Sequence, residues 1–84
     1  MIPQYTDIGT YKIVAAGLFT TVGGDTAETI TAAAVVSTDL VFVVAKTGNA
    51  QVVRAAAGTG DISVTLSADP GNDDVLQYIV VRAI

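Results

Sequence analysis

Cysteine, histidine and tryptophan are absent from this 84-residue sequence, methionine occurs once, and only four residues are cationic. Each absence removes a class of chemistry. Without cysteine there is no disulfide to staple a small fold and no thiolate nucleophile. Without cysteine or histidine there is neither a structural zinc site nor the usual general base. A serine or threonine nucleophile would need activation by a lysine or carboxylate, and Lys12 and Lys46 lie in no sequence context of that kind. The sequence therefore reads as non-enzymatic and free of cofactors. Its formal net charge is −4, and the cations Lys12, Lys46, Arg54 and Arg82 are scattered and outnumbered two to one by carboxylates. Binding a phosphate backbone needs a clustered basic face, so no nucleic-acid partner is expected. Long apolar runs are lacking as well. None approaches the roughly 20 residues of a membrane-spanning helix, and the first residues do not combine a basic start, an apolar stretch and a small-residue cleavage site. The expectation is a soluble protein made in the cytoplasm, with no membrane partner.

What the sequence does contain is an excess of apolar residues, 51% of the chain with a mean hydropathy of +0.59. Area scaling gives a folded chain of 8.5 kDa roughly 4,700 Å² of surface against about 12,300 Å² unfolded, a burial of only about 60%. So small a core is marginal, and with no disulfide or zinc site the remaining remedy is oligomerisation. The stretch at residues 40–45, Leu-Val-Phe-Val-Val-Ala, concentrates this excess. A strand on a half-exposed sheet alternates apolar and polar side chains, whereas this one is apolar on both faces.

Along the chain, residues 1–9 read as an extended N-terminal arm containing Pro3, and residues 10–84 as a single β domain. Residues 10–20 form the first strand, with Gly17 marking a bulge or a close backbone approach. After a turn at Gly23, Gly24 and Asp25 comes a short strand at 28–31 with Thr29 and Thr31 on one side. The alanines at 32–34 also permit a helix over 26–36, although Thr-Ile-Thr and the following Val-Val favour extended chain. The central strand at 40–45 is followed by a hairpin loop at 47–50, in which Gly48 and Asn49 accept positive φ, and by a return strand at 51–57. Residues 62–67 alternate cleanly, Ile62, Val64 and Leu66 inward and Ser63, Thr65 and Ser67 outward. An acidic Pro-Gly loop at 68–74 precedes a final apolar strand at 75–82. Five to six strands at about ten-residue intervals point to an all-β fold, a small antiparallel sandwich or barrel of jelly-roll-like type.

Few residues stand out as candidates for a site. Asp69, Asp73 and Asp74 offer hard oxygen ligands to calcium, but lack the EF-hand spacing and its closing glutamate, and solvated aspartates in a turn are the simpler reading. Gly58-Thr59-Gly60 precedes no helix and is a turn rather than a phosphate loop. Glu28, Lys46, Arg54 and Arg82 are available for ion pairs between subunits, worth about 0 to 1 kcal/mol each at a surface. The interface candidates are Tyr5, Tyr11, Leu40, Phe42, Val44, Tyr78 and Val80, drawn from apolar strands and amphipathic rings.

Three segments carry a family resemblance: Val-Val-Ser-Thr-Asp-Leu-Val-Phe-Val at 35–43, Ser-Val-Thr-Leu-Ser-Ala-Asp-Pro-Gly-Asn-Asp at 63–73, and Val-Leu-Gln-Tyr-Ile-Val-Val-Arg-Ala at 75–83. Over about the last 60 residues the chain resembles small virion proteins of tailed bacteriophages. The resemblance implies a capsid decoration, or cement, protein: an all-β protomer that assembles as a homotrimer on the outside of the head and braces the major capsid protein. It brings no catalytic residues. The arm, with Ile2, Pro3 and Tyr5, is then the expected contact to the capsid, adding a strand to an exposed sheet edge. Two alternatives stand beside it: a short head- or tail-fibre module that binds a host receptor or glycan, and a small OB-type nucleic-acid-binding module. The loops near Gly23, Gly48, Gly58 and Gly71 carry no aromatic residue for the first, and the acidic balance opposes the second.

Overall fold

A computed structural model describes residues 7–8, 10–48 and 50–84, the first two by backbone alone, and among these described residues the protein forms seven antiparallel strands. They are β1 (Asp7–Ile8), β2 (Tyr11–Thr20), β3 (Ala27–Thr31), β4 (Leu40–Thr47), β5 (Val52–Ala57), β6 (Asp61–Leu66) and β7 (Val75–Ala83). They form two sheets, a four-stranded one in the order β1-β2-β7-β4 and a three-stranded one in the order β3-β6-β5. The sheets face each other across one core and do not close into a barrel. The all-β expectation is met.

The three-stranded sheet follows directly from its side chains. In β6 the inward residues Ile62, Val64 and Leu66 are buried and Ser63 and Thr65 are exposed, as the alternation predicts. On β3, Glu28 and Ile30 point in while Ala27, Thr29 and Thr31 point out. The outer face of this sheet is therefore mostly polar and wet, with Val53 exposed at 66% where the β5 register shifts. From the four-stranded sheet, Leu76 and Val80 of β7 complete the core, with Val41, Val43, Phe19 and Tyr78 packed at its margin. Val35 and Ala50 close it from the connections.

One local expectation, the 47–50 hairpin, is corrected, and two alternatives are decided. Residues 26–36 contain no helix: β3 ends at Thr31 and turns follow, tied by Val35 N–H to Ala32 O at 3.0 Å and Asp39 N–H to Val36 O at 3.0 Å. Residues 47–50 do not close a hairpin. β4 and β5 lie in different sheets, so this segment carries the chain across the sandwich, with Gly48 at φ 97° and Asn49 outside the described residues. The bulge of β2 falls at Val14, where the register to β7 shifts between Ile13 and Ala15. Gly17 instead provides the close approach, because it pairs with Tyr78 and a Cβ there would stand 3.1 Å from the Tyr78 hydroxyl.

Candidate functional site: the apolar outer face of the four-stranded sheet

Residues paired across an antiparallel ladder share a face, so the register states which side chains stand together. Val41 and Val43 of β4 pair with Val80 and Tyr78, and all four turn to the core. The alternate set turns away from it. Leu18, Gln77 and Val44 form one row on the outer face, Ala16, Ile79 and Phe42 the next, and Ile13, Val81 and Leu40 the third, with Tyr11 and Ala83 beyond. Gln77 is the one polar side chain in these rows. Leu40, Phe42 and Val44 are 47%, 51% and 58% exposed, Leu18 is 59% and Tyr11 39%. Together the five expose on the order of 500 Å² of mostly apolar surface, toward the upper end of the roughly 300 to 600 Å² of the largest patch on a typical monomer, which is often functional. The strand without a polar face thus has one face in the core and the other bare.

The face is not flat. A groove of about 340 Å³ runs beside Phe42, lined by Ala16, Gly17, Gln77, Tyr78, Ile79 and Val44. Room for it exists where β2 contributes only Ala16 to the outer row and β4 contributes Phe42, its largest residue. A second depression, of about 320 Å³, sits where the chain crosses between sheets, near Val43, Gly48 and Val52, and its lining includes no acidic or basic side chain.

The charged side chains stabilise the connections instead. Arg82 grips Asp39 in a two-point fork, Nε to Oδ1 at 2.6 Å and Nη2 to Oδ2 at 2.8 Å, and donates a further bond to the Ala34 carbonyl at 2.9 Å. Asp39 also accepts the Val36 N–H at 2.9 Å. The Arg82 hydrogen bond above all, against the cost of burial, holds the Asp39 carboxyl down at about 2. This clamp fastens the 32–39 turns to the last strand, so Arg82 serves its own protomer rather than a subunit contact. Glu28 does likewise, its two oxygens accepting the N–H groups of Val22 at 2.9 Å and Gly23 at 3.0 Å. Lys46 and Arg54 are exposed.

The acidic loop is similarly absorbed. Asp69 Oδ1 accepts N–H bonds from Gly24 at 3.2 Å and Gly71 at 3.0 Å, and Asp74 is buried against Gly48. Thr21 closes the same end through Oγ1 to Gly71 O at 2.8 Å and N–H to Asp74 O at 2.9 Å. Among the described residues no group of three carboxylates converges as an ion would require, and Asp69, Asp73 and Asp74 do not form a calcium cage. Among the described residues, too, no buried side-chain polar atom is left without a partner.

Of the interface candidates read from sequence, Tyr11, Leu40, Phe42 and Val44 come together on the bare face. Tyr78 packs half-buried against the core but also lines the groove, whereas Val80 is 0% exposed and not available for contact. Tyr5, Ile2 and Pro3 lie outside the described residues. Sequence reasoning missed Leu18 and the groove at Ala16, because simple alternation puts both on the face opposite Ile13 and only the bulge at Val14 brings the three to one side. Comparison with protein-family models, curated proteins and solved structures gives no match for this chain.

Proposed function

We propose that the protein is a structural component of a tailed-bacteriophage virion, a capsid decoration protein that sits on the outside of the head as a homotrimer and braces the major capsid protein beneath it. One observation carries the reading: the outer face of the four-stranded sheet is apolar where a monomer's would be wet, so the protomer is built to be covered. The resemblance of residues 35–43, 63–73 and 75–83 to such virion proteins supplies the setting. Glu28, Asp39, Asp69 and Arg82 are engaged in holding loops, as suits a rigid and chemically inert module. A jelly-roll-like reading of the two sheets, and a capsid-reaching role for residues 1–9, belong to the same proposal.

Immunogold labelling of virions carrying this protein tests it. Label over the outside of heads is the expected result. Label confined to fibres assigns the fibre role instead, and particles without label contradict both.

A further inference from the structure

The bare face is uneven in a way that suits another copy of itself. Phe42 stands half exposed as a knob, and the groove floored by Ala16 and Gly17 lies directly beside it. Both are apolar apart from Gln77 at the groove's edge. We propose that the occupant of this face is a second copy of the same chain, with Phe42 of one copy seated in the groove of the next. The inference rests on the self-association in the preceding reading and names the surface responsible. A knob in a neighbour's groove is either reciprocated about a two-fold axis or repeated head to tail, and head-to-tail contacts close into rings when the rotation allows. A ring of three is one such closure.

Charge and area argue for a copy over a different partner. A chain of net charge −4 repels itself unless its charges stay out of the contact. Here they do. The paired rows from Ile13 to Leu18 contain no charged residue, while Asp25, Asp69, Asp73 and Asp74 gather in the loops at one end of the sandwich and Asp39 and Asp61 lie toward the other. A partner chosen by charge would find nothing on this face to recognise. The exposed apolar side chains supply a large part of the roughly 800 Å² per partner that a stable interface buries.

Two substitutions separate the contact from the fold, since both positions face away from the core. Phe42→Asp removes the knob and places a charge in the contact; Ala16→Gln fills the groove without adding charge. Sedimentation velocity of the native chain is expected to show a multimer at micromolar concentration. Each variant is expected to weaken association roughly 30-fold or more, as loss of a central interface residue does, with an unchanged circular dichroism spectrum and melting cooperativity. Thr29→Asp on the wet face of the other sheet is expected to leave the mass of the assembly unaltered. A native multimer whose mass survives both variants overturns this inference and leaves the virion proposal standing. A native monomer overturns the inference too, and makes some other partner the occupant of the face.

Discussion

Asp39 and Arg82 are 43 positions apart, yet together they fasten the 32–39 turns to the end of β7. Because the Asp39 carboxyl is held at about 2 in the folded chain against its ordinary 3.8, its contribution to stability is fully present above the higher value and is lost as pH falls through the lower. Asp39→Asn is therefore expected to melt below the native chain at about pH 6, and the gap is expected to narrow toward about pH 2. A gap that stays constant across that range would mean that the fork contributes nothing specific to ionised Asp39. The glycines offer a second contrast. Gly23 has φ +83°, and a Cβ there would stand 2.7 Å from the Gly71 backbone, whereas Gly60 at φ +77° faces open space. Gly60→Ala should cost about 1 kcal/mol for its backbone alone, and Gly23→Ala about 2 to 3 kcal/mol, because the clash adds to the strain. Thermal melts would read the difference as a larger fall for Gly23→Ala. At this scale the sequence was partly legible. Turn residues announced themselves by type, but the Arg82 clamp and the Glu28 loop bonds depend on distant chain segments meeting, which no local pattern encodes.

Strand β4 shows what alternation can and cannot tell at the scale of an element. Its run of apolar residues is legible as a strand lacking a polar face, and the structure divides the two faces: Val41 and Val43 inward, Leu40, Phe42 and Val44 outward. Substitutions one residue apart should then fail differently. Val43→Asp buries an unpaired charge at the core margin and should unfold the chain, by about 3 kcal/mol or more. Phe42→Asp should fold with little loss. If circular dichroism and denaturant melts showed both equally damaged, the assignment of faces would be wrong. In β6, Ile62→Ala should cost about 2 to 5 kcal/mol as a core truncation, and Thr65→Asp on the wet face less than about 1. Strand positions followed from periodicity and turn chemistry, and β6 came out as its alternation requires. Sheet membership did not. The Gly-Asn signal at 47–50 marks a reversal of the chain, but whether a reversal closes a ladder or crosses the sandwich depends on which strand has already taken the edge. In this fold β7, from the far end of the chain, sits beside β4.

Seen as a whole molecule, the protein has one wet sheet and one dry one. The three-stranded sheet shows threonine and serine to solvent, whereas the four-stranded sheet shows leucine, phenylalanine and valine. A composition too apolar for its size was legible from the residue count alone. Where the excess would collect was only half legible, because Tyr78 and Val80 share the pattern of the bare-face residues and are sent inward by the register of β7. Salt separates this account from one based on charge. Association through an apolar face should hold or strengthen between about 0.1 and 1 M sodium chloride, whereas association through ion pairs should weaken over that range. The most direct test of the central claim, that the protomer is built to be covered by copies of itself, is the mass of the native chain by sedimentation equilibrium at micromolar concentration. The account predicts an integral multiple of 8.5 kDa that persists on dilution through that range. A stable species of 8.5 kDa, with the sheet face left in water, would contradict it.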